Sequence, residues 1–490
     1  MKKAIIIGSG IAGLAAAVRL KLKGYDVEVF EANSYAGGKL SEIKLGAYRF
    51  DAGPSLFTMP ELVDELFTAA GKNPKDYFNY QQLAESCRYF WEDGTQLTAS
   101  SNRAELFKEI EDKLGEPPAN LEKALSKSAA LYDTLADLFM FKPIHKLSTW
   151  LGPKAFKAYT RLHTLNFNRS MADENRRLFK TDKAVQLFNR YATYNGSDPY
   201  QAPATLNIIP HLEFNRGAFF PIGGMHSITQ SILKLAQDLG VSFHFGHKVE
   251  EIKIENNACK AVMVNGQWHS ADLVVSNMDM VNTYRKLLSN QKQPERLLRQ
   301  PKSSSALIFY WGIKKSFPAL GLHNIFFSDD YKEEFDQIFN KGTISSDPTI
   351  YVNITSKMQT TDAREGGENW FTMINVPNNQ GQDWDQLIAE AKHNMIAKLS
   401  RLLKVDLAAY IEEEDYLDPR RIESKTSSSA GSLYGNSSNN PYAAFLRHPH
   451  QHHSISNLYF CGGSVHPGGG IPLSLLSAKQ MVDYYVPEAK

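Results

Sequence analysis

The chain has 490 residues, and its 54 lysine and arginine residues nearly balance its 53 aspartate and glutamate residues, for a formal net charge of +1. This length suffices for two or three domains, and the balanced charge argues against a nucleic-acid partner. The three cysteines lie far apart, which argues against a cysteine-based metal site and fits a reducing, cytoplasmic compartment. No apolar run is long enough to span a bilayer.

The N-terminal residues contain the strand, glycine turn, helix and second strand that bind a dinucleotide. After the apolar strand 4–7, Gly8 permits a tight turn, Gly10 lets a pyrophosphate approach the backbone, and Gly13 lets the helix pack against the sheet. Glu31 ends the second strand, where its carboxylate can accept hydrogen bonds from ribose hydroxyls. The pattern favours a dinucleotide site over a secretory signal peptide, the other interpretation of an apolar N-terminal stretch.

Later elements indicate a cofactor domain assembled from separated stretches. Strand patterns occur at 241–245, 249–254, 272–277, 306–312, 349–353 and 458–461, and helical patterns at 224–239 and 384–403. We therefore predict a cofactor domain formed by 1–85, 215–295 and 425–490. The substrate domain is predicted to comprise 86–214 and 296–424, with a mostly helical cap at 100–195.

Near the C-terminus, a glycine-rich loop leads into an apolar helical stretch. Residues 466–472 read His-Pro-Gly-Gly-Gly-Ile-Pro, in which the glycines allow close approach to a flat ligand and Pro472 suits the first position of a helix. The N-terminus of that helix would stabilise the negative charge that a reduced flavin gathers at its pyrimidine end. An ordinary turn before a terminal helix is the alternative, and the dinucleotide pattern favours the flavin.

Motifs spread along the whole chain resemble, in the same order, those of the bacterial-type carotenoid desaturases, the phytoene desaturase family of flavoproteins. They are residues 8–13 with Glu31, 36–39, 49–55, 194–204, 220–225 and 458–476. The resemblance implies FAD and a mixed α/β fold: a Rossmann-like FAD-binding domain of the flavin amine oxidase type, a discontinuous substrate domain and a helical, membrane-facing cap. Residues 50–59 and 87–95 are most similar to the 1-hydroxycarotenoid 3,4-desaturases, which introduce a double bond near the hydroxylated end of an acyclic carotenoid.

The glycine turn and the resemblance together imply which residues line the cofactor. They are Gly8, Gly10, Ala12, Gly13, Glu31, Gly37, Gly38, Lys39, Ser55, Leu56, Val249, Asn277, Gly463, Gly470 and Ile471. Val249 is expected to meet the adenine edge through its backbone. Lys39 stands where related flavoproteins often have arginine, so it keeps the charge near the phosphates or the flavin but loses the bidentate geometry.

Desaturation next to a polyene removes a hydride, which the flavin accepts, and a proton from the adjacent carbon. Glu213 and His211 are the candidate bases, and ordinary hydrogen-bonded residues at a domain border are the alternative. We expect an acyclic carotenoid substrate, oxygen or a quinone as electron acceptor, no nucleic acid and no metal. The histidine-rich segment 448–453 is interpreted as a solvated loop because no cysteine accompanies it.

Residues 131–167 interleave apolar and aromatic side chains with basic ones, namely Lys142, His145, Lys146, Lys154, Lys157 and Arg161. This pattern is typical of an interfacial helix, and a helical lid packed on the substrate domain is the alternative. Because carotenoids reside in the bilayer, we expect a cytoplasmic protein with peripheral membrane contact.

Three other functions stay open at this point. A phytoene desaturase is the alternative within the family, and a flavin amine oxidase shares the fold but acts on a polar amine. A prenyl-binding escort similar to the Rab GDP-dissociation inhibitors would keep the architecture without flavin chemistry. The intact glycine pair 37–38 and the loop 466–471 argue against the escort.

Overall fold

The computed structural model describes residues 1–160 and 168–489, which form a mixed α/β protein. The strands in chain order are β1 (Lys3–Ile7), β2 (Asp26–Glu31), β3 (Glu42–Leu45), β4 (Tyr48–Asp51), β5 (Tyr80–Gln82), β6 (Glu85–Phe90), β7 (Gln96–Ser100), β8 (Phe219–Pro221), β9 (Ser242–Phe245), β10 (Val249–Glu255), β11 (Ala258–Val264), β12 (Gln267–Ser270), β13 (Leu273–Ser276), β14 (Ser305–Ile313), β15 (His323–Phe326), β16 (Ile350–Ile354), β17 (Glu368–Val376), β18 (Ile411–Leu417) and β19 (Leu458–Phe460). The α-helices are α1 (Ile11–Leu22), α2 (Glu61–Ala69), α3 (Arg103–Leu114), α4 (Pro118–Phe139), α5 (Leu147–Trp150), α6 (Pro153–Thr160), α7 (Met171–Leu178), α8 (Asp182–Asn189), α9 (His226–Asp238), α10 (Met280–Asn282), α11 (Glu295–Leu298), α12 (Tyr331–Asp336), α13 (Trp384–Leu403), α14 (Pro419–Thr426) and α15 (Ile471–Tyr485).

A five-stranded parallel sheet, ordered β19-β13-β1-β2-β9, unites strands from three separated stretches of the chain. Helices α1, α9 and α15 share a hydrophobic core with one face of this sheet. The strands are therefore apolar along most of their length, as expected when both faces are covered. All five strands fall within the proposed cofactor domain, whose boundaries stay a proposal.

The other face of the parallel sheet packs against a separate antiparallel sheet, ordered β10-β11-β12. The predicted strand 249–254 therefore belongs to a second sheet rather than to the cofactor sheet. Asn256 and Asn257 both have positive φ, 50° and 54°, and join β10 to β11 in a two-residue turn. Such a turn brings the chain straight back as an antiparallel hairpin.

A seven-stranded sheet, ordered β18-β14-β17-β16-β15-β6-β7, forms the core of the proposed substrate domain. Its side chains alternate between two faces. Helix α13 covers one face, where Phe309, Trp311 and Trp370 are buried with it. The opposite face carries Ile308, Tyr351 and other residues that line a large cavity. Helices α3 to α8 supply most of the described part of 100–195, and no described helix is both long and apolar enough to cross a membrane.

The histidine-rich segment is buried, so its interpretation as a solvated loop is wrong. His448, His450 and His452 are at most 6% exposed, whereas His453 is exposed. The segment pairs with the chain around β19 through the bridges His448 to Val465 and Gln451 to Tyr459. Alternate residues of this extended segment consequently point into the core, which a count of polar residues does not reveal.

Candidate active site

A cavity of about 1220 Å³ is lined by residues of both large sheets and by the loop before α15. A pocket for one drug-sized ligand has a volume of about 300–1,000 Å³, so the cavity has room for a cofactor together with a second, elongated molecule. One part is bordered by the glycine turns, and the other by apolar side chains of the seven-stranded sheet such as Ile325, Phe371 and Met373.

The β1–α1 turn forms an open cradle at one end of this cavity. Gly8 has a φ of +93°, and a Cβ atom on Gly10 would lie 2.7 Å from Asn277 Oδ1. Gly37 donates its backbone N–H to the Ser9 carbonyl oxygen over 2.9 Å, and a Cβ atom on Gly38 would lie 3.6 Å from Gly10 Cα. The second glycine pair therefore lies directly against the first turn, and bare backbone on both sides leaves the space that a pyrophosphate needs.

Almost all of the predicted cofactor residues lie on the cavity wall. They are Gly8, Gly10, Ala12, Glu31, Gly37, Gly38, Lys39, Ser55, Leu56, Val249, Asn277, Gly463, Gly470 and Ile471. Gly13 lies behind the turn instead, where a Cβ atom would be 2.2 Å from the Gly8 carbonyl oxygen. This position fits the predicted close packing of helix on strand.

Glu31 is held at the cavity wall by donors from the protein itself. Its Oε2 accepts from the Ser9 N–H and Oγ at 2.8 and 2.9 Å, and its Oε1 accepts from the Asn33 N–H and Nδ2 at 2.8 and 3.0 Å. A carboxylate has about four acceptor sites, so a ribose hydroxyl would have to share them or displace a side-chain donor. Glu31 thus also fixes the glycine turn to the end of β2.

Two cations, the half-buried Lys39 and the buried Arg447, add positive charge to the same cavity. Lys39 Nζ donates to the carbonyl oxygens of Ser432 and Leu433 at 3.1 and 2.8 Å, and burial lowers the pKa of Lys39 to about 8. Arg447 is 5% exposed, and burial lowers its pKa to about 10. Its Nη1 has no hydrogen-bond partner within residues 1–160 and 168–489. Its guanidinium carbon would lie 3.0 Å from a Cβ atom on Gly468, just before α15.

A buried cation without an anion is costly, and an anionic ligand removes that cost. The cradle, the orphaned Arg447 nitrogen and the start of α15 therefore fit FAD, whose phosphates and reduced ring carry negative charge. Sequence reasoning missed Arg447, because a single arginine in a polar segment looks like a surface residue.

A chain of hydrogen bonds crosses from the cofactor loop to the seven-stranded sheet. Ser55 Oγ lies 2.8 Å from the Tyr351 hydroxyl, which lies 2.7 Å from His323 Nδ1. All three residues line the cavity, and His323 Nε2 is buried without a hydrogen-bond partner in the described part of the chain. Burial lowers the pKa of His323 to about 4, so the ring is neutral at physiological pH. Sequence reasoning identified Ser55 but neither of its partners.

The two candidate bases do not lie among the residues that line the cavity. Glu213 accepts from Arg190 Nη2 at 2.9 Å and from the Tyr194 hydroxyl at 2.7 Å, in a buried ion pair. His211 Nδ1 lies 2.9 Å from Asn215 Nδ2, and burial and the nearby Arg216 lower the pKa of the ring. Both belong to a short π-helical turn, His211–Asn215, and their catalytic role stays a prediction.

No group of three or more histidine, cysteine, aspartate or glutamate residues in the described part of the chain is arranged to hold a metal ion. The described cysteines Cys87, Cys259 and Cys461 are free and buried.

Comparison with known proteins gives consistent results. Residues 11–484 match the family of flavin containing amine oxidoreductases. A 1-hydroxycarotenoid 3,4-desaturase from Flavobacterium sp. is 51% identical over 99% of both chains. A 4,4'-diapolycopene oxygenase from Methylomonas sp. is 34% identical over 99% of this chain and 98% of its own. Among solved structures, a putrescine oxidase variant has a TM-score of 0.65 at 13% identity, with 98% of each chain covered.

Proposed function

This chain belongs to the flavin-containing amine oxidoreductases and, among them, to the carotenoid desaturases, and we propose that it acts on a 1-hydroxylated acyclic carotenoid, introducing the double bond between carbons 3 and 4. Membership confirms the predicted fold class and FAD as the cofactor. One observation carries the choice of reaction: a single cavity joins the glycine cradle to an apolar chamber, so a polyene can lie against the cofactor. A polar amine substrate would not match that apolar wall.

When bound, FAD supplies the acceptor for the hydride. The task of the chain is to hold two carbons of the polyene in place and to exclude water. Ile308, Ile325, Phe371 and Met373 provide an apolar wall on the side of the seven-stranded sheet. A proton beside a developing cation is acidic, so the reaction does not demand a strong base. We propose oxygen or a quinone as the final electron acceptor.

The proposed activity is tested with the purified holoprotein and carotenoids in liposomes. We expect flavin bands in the visible spectrum and faster turnover of the 1-hydroxylated carotenoid than of its non-hydroxylated counterpart. Phytoene should react poorly, because it lacks the long conjugated polyene that stabilises a cation. Successive desaturation of phytoene without preference for the hydroxylated compound would instead identify a phytoene desaturase. Incorporation of labelled oxygen would identify an oxygenase, and the absence of flavin uptake an escort protein.

We further propose that the cap contacts the membrane beside the cavity mouth, as a peripheral protein of the cytoplasmic side. Leu147 and Leu151 on and after α5, and Phe156 on α6, are at least 70% exposed. Trp150 packs on Phe445, which in turn packs on the cavity residue Phe139, at ring separations of 5.9 and 5.3 Å. An apolar surface therefore borders the chamber that the carotenoid must enter.

Lys146, one of the basic residues of the cap, is held against another part of the protein. Lys146 Nζ lies 4.4 Å from the ring centre of Tyr485 and donates to the Tyr484 carbonyl oxygen, so it faces α15. Arg161 lies outside the described residues, and so do the side chains of Lys154 and Lys157.

Replacing Leu147, Leu151 and Phe156 together with glutamine should lower binding to liposomes by more than about tenfold, because each buried apolar side chain contributes about 1.5–3 kcal/mol. Sedimentation with vesicles measures the effect, and flavin absorbance should stay unchanged. The control variant carries glutamine at Ile222 and Trp268, which are also exposed apolar residues but lie outside the cap. Equal sedimentation of the cap variant and the control would place the membrane contact elsewhere.

A further inference from the structure

We propose that the hydrogen-bonded chain Ser55–Tyr351–His323 binds the hydroxyl group of the carotenoid, and that His323 is the residue that selects hydroxylated substrates. This inference rests on the proposed function and deepens it, because it assigns substrate selection to particular atoms. The position of the hydrogen-bonded chain and the unpartnered nitrogen of His323 support this role, together with the chemistry of the substrate.

The position follows from the elements that carry the three residues. Ser55 belongs to the loop after β4 that is predicted to line the cofactor, whereas Tyr351 and His323 lie on the neighbouring strands β16 and β15 of the seven-stranded sheet. Their hydrogen bonds of 2.8 and 2.7 Å therefore join the cofactor side of the cavity to the substrate side. This junction is where a reacting bond must lie.

The hydrogen-bond partners determine which nitrogen of His323 carries the proton. Asn353 Nδ2 donates to the Leu322 carbonyl oxygen at 3.0 Å, which identifies it as the amide nitrogen, and it also lies 3.2 Å from His323 Nδ1. Nδ1 is therefore an acceptor, and in a neutral ring the proton then resides on Nε2. That N–H group is buried and has no hydrogen-bond partner among the residues that the structure describes, although a buried donor is normally satisfied.

The ring is suited to a neutral ligand group. His323 is 4% exposed, and burial keeps it neutral. The nearby charges of Arg190 and Glu213 are paired with each other at 2.9 Å and act on the ring in opposite directions. A hydroxyl group can accept from Nε2–H without bringing a charge into this apolar chamber, whereas a carboxylate or an amine cannot.

The chemistry of the substrate requires the binding group to be at this junction. In a 1-hydroxylated carotenoid, carbon 1 is only two bonds from carbon 3, where the double bond forms. A residue that binds the hydroxyl must therefore lie beside the reacting carbons and beside the cofactor, not at the far end of the chamber. The chain from Ser55 to His323 meets this requirement.

The test compares His323→Leu, which removes the donor, with His323→Gln, whose amide nitrogen can take the place of Nε2–H. Two measurements are made with each holoprotein: the ratio of kcat/KM for the hydroxylated and non-hydroxylated carotenoids, and the Kd ratio for the two corresponding 3,4-didehydro products. Quenching of tryptophan fluorescence reports the Kd, and the products cannot be desaturated again at that bond. Binding is thereby separated from chemistry.

We expect His323→Leu to lower the kcat/KM ratio by about tenfold and to raise the Kd ratio, hydroxylated over non-hydroxylated, by about the same factor. Both changes are the effect of losing one hydrogen bond and leaving a hydroxyl unpaired. His323→Gln should keep most of the preference, and Tyr351→Phe should give an intermediate value. Ser86→Ala is the control, since Ser86 also lines the cavity and its hydroxyl has no partner among the described side chains and backbone.

An unchanged preference in a folded, flavin-loaded His323→Leu protein would overturn the proposal, as would loss of preference in Ser86→Ala instead. If His323→Leu does not fold, a wild-type preference in Tyr351→Phe would overturn it. A wild-type protein that desaturates both carotenoids equally contradicts the hydroxyl site and leaves a carotenoid desaturase. A wild-type protein that desaturates neither contradicts the proposed function itself.

Discussion

Gly10→Val should yield a folded protein that contains almost no bound flavin. The first added carbon would lie 2.7 Å from Asn277 Oδ1, closer than such atoms approach, and the branched side chain would project into the cradle between the two glycine turns. The β1–α1 backbone itself keeps its hydrogen bonds, so the fold is retained. The ratio of flavin to protein absorbance after purification measures the effect.

Gly152→Val is the matched control for this substitution. Gly152 lies between α5 and α6, and a Cβ atom there would meet no described residue within 4 Å. This control should load flavin like the unaltered protein, which separates loss of the cradle from a general effect of valine. A Gly10→Val protein with normal flavin content would show that the pyrophosphate does not lie at this turn.

Glu213→Gln should destabilise the protein by about 3–5 kcal/mol, the usual cost of removing one partner from a buried ion pair. The Arg190 and Glu213 side chains are 4% and 2% exposed, and Arg190 also donates to Tyr191 at 2.9 Å. Loss of the carboxylate would leave the guanidinium charge buried without an anion. Denaturant unfolding of the holoprotein measures the change in the free energy of unfolding.

The same substitution at Glu61 provides a control, because the ion pair of Glu61 with Arg216 is exposed and should contribute little. The double variant Arg190→Met, Glu213→Leu should recover much of the lost stability, since both charges are then absent. If Glu213→Gln instead keeps normal stability but loses turnover, Glu213 acts in the chemistry as the sequence suggests, and the ion pair is not its main role.

The amino-acid sequence by itself determined those features of the protein that depend on residues close together along the chain. The glycine turn between β1 and α1 requires residues without Cβ atoms at set spacings. Gly8 and Gly10 meet this requirement and can be recognised in the sequence itself. Helix α13 spans Trp384–Leu403, the range predicted, because its apolar periodicity and its Asp383 N-cap are both local signals. The division of the parallel sheet among three stretches also followed from short apolar strands with glycine-rich ends.

Only the tertiary structure decided which distant side chains meet. Ser55 and Tyr351 are 296 positions apart, and Glu213 faces Arg190 across 23 positions, so no local pattern predicts either contact. The burial of Arg447 and of the histidines 448, 450 and 452 likewise depends on the strand and loops that cover them. A local pattern reports the face on which a residue lies, whereas its partner and its charge state depend on packing between segments that the sequence does not place side by side.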